Sequence, residues 1–141
     1  MVTIKVKKLR PDAIVPRYAH PSDAGLDLHA TEDYALKAGE RHLFRLGIAT
    51  EIPEGYFGYV RDKSGLALRA GLTVLGGVID EGYRGEYGII LLNTGREPYE
   101  VHRGDKIAQL LIQPVVHAEI AEVSDLSDTD RGAGGFGSTG K

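Results

Sequence analysis

A chain of 141 residues, 42% hydrophobic and 26% charged, is long enough for one domain with a real core. A net charge of −3 argues against a broad electrostatic grip on nucleic acid, and the absence of cysteine excludes disulfides, zinc–thiolate sites and a thiol nucleophile. With no apolar run of membrane-span length and no signal-peptide core after Met1, the expectation is a soluble cytoplasmic protein that binds neither membrane nor nucleic acid.

Val2, Ile4 and Val6 alternate with Thr3, Lys5 and Lys7, the period of a half-buried strand. Ala24, Leu26, Leu28 and Ala30 alternate with Asp23, Gly25, Asp27 and His29, which sets two carboxylates on the polar face of a second strand. Leu46, Ile48, Thr50 and Ile52 continue the pattern to a turn at Pro53-Glu54-Gly55, and residues 56–61 resume it. Ser64 to Ala70 is the helical stretch, about two turns long, with Ser64 able to cap it and Gly71 able to end it. Residues 72–80 and 86–93 flank a turn containing Glu81-Gly82 and read as a hairpin. Ile107 to Val116 is the apolar run of a strand buried on both faces. From Ser127 onward Phe136 is the only large apolar residue, so the end of the chain builds no core of its own. The expected organisation is a core of residues 1–124 and a flexible tail of residues 125–141. Short strands spaced by turns, with 19 glycines, predict an all-β fold: a jelly-roll-like barrel or sandwich with one short helix at 64–70. Such a fold offers no obvious cleft, which favours a site built where subunits of a homo-oligomer meet.

Five segments concentrate Gly, Asp, Ser, Arg and Gln. They are Ala24-Gly25-Leu26-Asp27-Leu28, Asp62-Lys63-Ser64-Gly65-Leu66-Ala67, residues 77–85, Arg103-Gly104-Asp105-Lys106-Ile107-Ala108-Gln109, and Arg131 to Gly140. The last holds five glycines, one cation, one aromatic ring and two adjacent hydroxyls. Glycine-rich backbone approaches anions closely, arginine grips phosphate through a planar fork, and an aromatic ring stacks on a base. That composition suits a lid over a nucleotide, and equally a disordered Gly/Ser tail. Gly135 to Lys141 also matches G-x-x-x-x-G-K, but a phosphate-binding loop of that kind needs a strand before it and a helix after it. The five histidines, at 20, 29, 42, 102 and 117, show no metal-ligand spacing.

Taken in order and at these spacings, the five segments resemble the motifs of the trimeric deoxyuridine triphosphatase (dUTPase) family, from about Asp23 to Gly140. The resemblance implies hydrolysis of dUTP to dUMP and pyrophosphate with Mg²⁺. That reaction keeps uracil out of DNA and supplies dUMP for dTTP synthesis. It also implies a homotrimer whose sites lie at subunit interfaces, each closed by a tail. Asp80, a turn-forming aspartate by its residues alone, becomes the group that orients and activates the attacking water. Tyr83 becomes the platform under the deoxyribose, and the hairpin residues Gly77, Val78, Ile79 and Gly88 become the uracil pocket. Lys63, Ser64 and Gly65 bind phosphate, although the family often has arginine where this chain has Lys63, and lysine lacks the bidentate fork. Gln109, otherwise a core hydrogen-bonding amide, reaches phosphate or its water network. Arg131, Phe136, Gly137, Ser138 and Thr139 close over the nucleotide. Asp27, otherwise a solvent-facing strand residue, holds Mg²⁺ indirectly through water. Two rivals remain at this stage. One is a dCTP deaminase, or a bifunctional deaminase and dUTPase. The other is a non-catalytic trimeric binding module.

Overall fold

A computed structural model describes residues 2–138. In chain order these form β1 (Lys5–Lys8), β2 (Leu26–His29), β3 (Tyr34–Leu36), β4 (Arg41–Arg45), β5 (Ile48–Glu51), β6 (Tyr56–Arg61), α1 (Ser64–Ala70), β7 (Leu72–Leu75), β8 (Val78–Ile79), β9 (Gly88–Asn93), β10 (Tyr99–Val101) and β11 (Lys106–Pro114). All pairings are antiparallel. A four-stranded sheet runs β2-β11-β6-β8 and a three-stranded sheet runs β4-β9-β7, with the pairs β1-β5 and β10-β3 beside them. The result is the expected all-β, jelly-roll-like sandwich with one short helix.

Period-two patterning explains the core. Leu26, Leu28, Val60 and Leu110 face inward from the four-stranded sheet and meet Phe44, Leu72, Ile89 and Leu91 from the three-stranded one in a single cluster. The opposite face of the larger sheet carries Phe57, Tyr59 and Leu111, half-buried, and Val78, which is 63% exposed.

Three expectations need correction. Ser64 does not cap α1. The N-cap is Lys63, in extended backbone with no side-chain cap bond, so Ser64 is the first helical residue. Gly71 does end the helix, in the left-handed conformation that glycine adopts without a Cβ penalty. The strand at 107–116 starts at Lys106 and stops at Pro114, and only its first half is deeply buried. The hairpin is real but its first arm splits. Val74 and Leu75 pair with Leu91 and Ile90 of β9, whereas Val78 and Ile79 pair with Tyr59 and Gly58 of β6. Gly76 and Gly77, both at positive φ, carry the chain from one sheet to the other.

The Arg103-Gly104-Asp105 tripeptide is a structural turn between β10 and β11. The Arg103 guanidinium donates to Asp12 at 2.7 Å, and the Asp105 carboxylate accepts the His102 backbone N–H at 2.8 Å.

Asn93 is a fully buried polar residue, and its amide is used from both ends. Its Nδ2 donates to the carbonyls of Leu36 (3.0 Å) and Glu97 (2.9 Å), and its Oδ1 accepts from Gly95 N (2.9 Å). It ties β9 to β3 and shapes the following turn. Asn93→Ala removes three hydrogen bonds to backbone groups, one of them at the buried Leu36, so chemical denaturation should show a loss on the order of 3 kcal/mol; a loss within error of zero would contradict this role.

Candidate functional site

The residues singled out in the sequence fall into three groups. The first surrounds a cavity of about 260 Å³ where the hairpin arms part. Gly77, Val78, Ile79, Asp80, Tyr83 and Gly88 line it with Val60, Val74, Glu86 and Ile90. Glycine is required at Gly77: a Cβ there would lie 2.8 Å from the Val60 carbonyl oxygen, and φ is +105°. The chain turns at Asp80, whose carbonyl accepts the Tyr83 N–H at 3.1 Å. The Tyr83 hydroxyl donates to the Glu86 carbonyl at 2.9 Å, which lays the ring across the loop over Gly85. The Glu86 carboxylate is turned away, accepting from Gly47 N at 2.9 Å and pairing with Arg45 at 3.4 Å. Among the described residues the exposed Asp80 carboxylate makes no hydrogen bond or ion pair.

The second group lies at the other edge of the four-stranded sheet. Strand register sets Asp27, Gln109 and Arg61 side by side across β2, β11 and β6. Asp27 is not solvent-facing, as an alternating strand residue would be; it is 4% exposed. Lys63 Nζ pairs with its Oδ1, and Lys106 Nζ with its Oδ2 at 2.7 Å. Burial works against the charged form of Asp27, but hydrogen bonds from Lys106 and Lys63, with their two charges, outweigh it and hold the carboxyl below its ordinary range. Gln109 fills a notch that only glycine leaves open: its Oε1 occupies the space a Gly25 side chain would need. Its Nε2 donates to the Asp62 carbonyl at 2.9 Å, the link that precedes Lys63, Ser64 and Gly65.

The third group is the tail. Arg131 bonds the Gly134 carbonyl at 2.9 Å, Phe136 is fully exposed at a φ of 50°, and neither lines the hairpin cavity. Gly137 and Ser138 are exposed beside them, and Thr139 lies outside the described residues.

Sequence reasoning missed two contributors. Lys106 reads locally as a surface residue beside Asp105, and only the β2–β11 pairing brings it to Asp27. The Asp62 carboxylate accepts from Thr73 Oγ1 at 2.8 Å and Val74 N at 2.7 Å, fixing the end of β6 to β7. An aspartate between a strand and a helix is the one local signal for it.

The dUTPase family model matches residues 11–140. The chain belongs to the dUTPase family. The deoxyuridine 5′-triphosphate nucleotidohydrolase of Clostridium tetani is 52% identical over 99% of this chain and 97% of its own length. That of Gloeothece citriformis is also 52% identical, over 97% and 96%. Among solved structures, the dUTPase of Staphylococcus bacteriophage 80alpha with dUpNHpp superposes with a TM-score of 0.92 at 30% identity, covering 99% of both chains. A variant dUTPase from phage phi11 of S. aureus, described for its coordination of a structural Mg(II) ion, gives 0.82 at 29% identity over 87% of this chain and 97% of that one. All of these relatives are dUTPases, which leaves the deaminase and binding-module readings without support.

Among the described residues no group of three His, Asp or Glu side chains could hold a metal ion directly. Asp27 has both oxygens facing ammonium groups, so neither is open to a cation directly.

The Asp27 cluster has a pH signature. Its folded-state pKa lies below the ordinary 3.8, so its contribution to stability is full above that value and is lost as the pH falls through the lowered one. Asp27→Asn should therefore be less stable than the parent at pH 7, and urea-denaturation stabilities of the two should converge below roughly pH 4. Curves that stay parallel to the acid limit would contradict the ion-pair assignment.

Proposed function

We propose that this chain hydrolyses dUTP to dUMP and pyrophosphate as a homotrimer, with Asp80 as the base. The observation that carries this reading is the hairpin cavity: it is lined mainly by apolar and glycine residues, and among the described residues the Asp80 carboxylate at its rim has no partner and no lysine or arginine lines it. Such a cavity suits the uncharged end of a nucleotide. Uracil would be read by backbone groups between Gly77 and Gly88, where fixed amides disfavour the reversed donor and acceptor edge of cytosine and a narrow wall disfavours the thymine methyl. Tyr83 would sit under the deoxyribose and leave no room for a 2′-hydroxyl.

The reaction breaks the bond between the α- and β-phosphates. Asp80 accepts a proton from the attacking water, and the rest of the rate comes from positioning and charge neutralisation. Lys63, Ser64, Gly65 and Gln109 would hold the phosphates. The Ser64 hydroxyl, which does not cap the helix, would be one donor. Mg²⁺, where bound, neutralises phosphate charge, and Asp27 would hold it through water. Arg131, Phe136, Gly137, Ser138 and Thr139 would close over the nucleotide as a tail of residues 125–141 reaching beyond its own core of residues 1–124. The apolar outer face at Phe57, Tyr59, Val78 and Leu111 supports assembly with further copies of the chain, which would bring the hairpin of one copy to the phosphate-binding edge of another.

A nucleotide panel tests the activity. With dUTP, UTP, dTTP and dCTP in the presence of magnesium, pyrophosphate release should be selective for dUTP, and comparable kcat/KM for UTP would sink the assignment. Asp80→Asn keeps the side-chain size and removes the base. Its kcat should fall on the order of 10²- to 10⁴-fold with nucleotide binding retained; near-normal turnover would place water activation elsewhere.

A further inference from the structure

The loop that carries Asp80 and Tyr83 is tied to a distant part of the chain by the residue between them. Glu81 Oε2 accepts the Gly55 backbone N–H at 2.7 Å, across 26 positions of sequence. Gly55 is the third residue of the turn between β5 and β6. There Tyr56 N donates to Pro53 O at 3.2 Å, and Gly55 sits at a φ of +79°. In a turn of that shape the third residue's N–H points outward and needs a partner from elsewhere. The Gly55 carbonyl is also occupied, accepting Val115 N at 3.0 Å. The turn is thus anchored to the end of β11 on one side and to Glu81 on the other.

The Asp80–Glu86 loop is braced internally as well. Arg84 Nη1 donates to the carbonyls of Glu81 at 2.5 Å and Tyr83 at 3.1 Å. Those bonds shape the loop but do not fix it in space. Among the described residues, the Glu81 carboxylate makes its only hydrogen bond to the β5–β6 turn. Asp80 follows directly on the two-residue strand β8, a short attachment at the sheet edge. A charge-assisted bond at a half-buried carboxylate is a strong anchor for such a segment.

We propose that Glu81 is a positioning residue for the hydrolysis: by gripping Gly55 it fixes the loop that aims Asp80 and seats Tyr83. The proposal rests on the reading of Asp80 as base. The alternative is a role in stability alone. The two differ in which measurement moves. Misplacing a catalytic group by about an ångström costs up to roughly 10² in rate, whereas loss of one half-buried bond changes the melting temperature modestly.

The experiment is steady-state kinetics of the full chain carrying Glu81→Ala, Glu81→Gln or Glu81→Asp, with thermal unfolding of each. Glu81→Ala is also combined with Asp80→Asn. Glu81→Ala should lower kcat about 10- to 100-fold and narrow the dUTP-over-UTP ratio of kcat/KM, because Tyr83 is released with Asp80. Glu81→Gln keeps an acceptor oxygen in reach of Gly55 and should restore most of kcat. Glu81→Asp keeps the charge but falls a methylene short, and should behave like the alanine variant, which covers the case in which that variant does not fold. In the Asp80→Asn background Glu81→Ala should lower the residual kcat no further. A lowered melting temperature with unchanged kcat and selectivity overturns the proposal, as does a full additional loss in the Asp80→Asn background. Near-normal turnover by Asp80→Asn alone is a different failure: it removes the Asp80 reading, and the positioning role falls with it.

Discussion

At Gly76 and Gly77 the chain leaves one sheet for another, and what it offers a ligand follows from that crossing. A sandwich packed on both inner faces has no cleft of its own. Here the first hairpin arm pairs with β9 only as far as Leu75, and two glycines later Val78 is a strand of the opposite sheet, beside Tyr59. The arms part, and the gap between them is the cavity. The crossing depends on backbone that a side chain would obstruct. Gly77 lies against the Val60 carbonyl, and both glycines sit at positive φ, where other residues are strained. One Cβ at position 77 would push β8 off β6 and take the Asp80 loop with it.

The other edge of the same sheet solves an electrostatic problem. A lone carboxylate as buried as Asp27 would be expensive to keep charged, and two ammonium groups make it tolerable. Lysine suits that task because its point charge can settle on one oxygen, leaving the second for Lys106. Arginine at position 63 would present a fork that spans both oxygens. Lys63 and Lys106 therefore share one carboxylate, each on its own oxygen.

Much of this was legible in the sequence because strand patterning is local. Alternation at Leu26 and Leu28 marked their core face correctly, and Gly71 marked the end of the helix. The same alternation misjudged Asp27. Period two assigns it to the outer face, but not what covers that face, and its cover comes from Lys63 and Lys106, 36 and 79 positions away. Ser64 had the chemistry of a cap, yet an extended Lys63 took the cap position because the chain leaves β6 in extended geometry. The hairpin residues were found by motif, whereas the splitting of its arms is a property of which sheet each arm completes. The bond from Glu81 to Gly55 has no local signature, since either residue alone is an ordinary turn residue.

The distribution of charge in the chain matches the proposed division of the site. A triphosphate needs several cations, and a cavity that reads an uncharged ring works best without them, since a buried lysine or arginine would be costly to desolvate and would compete for the base's polar edge. Among the described residues no lysine or arginine lines the hairpin cavity: Lys63 and Lys106 sit with Asp27 across the sheet, and Arg131 lies away from the cavity. Each part can then be stable in its own surroundings before any ligand is present: the cavity as apolar surface, the two lysines sharing the Asp27 carboxylate with one positive charge in excess, and the tail arginine in water. Assembly of copies is the step that would bring them to one nucleotide, and a negatively charged phosphate chain is what would give the cations a reason to leave their resting partners.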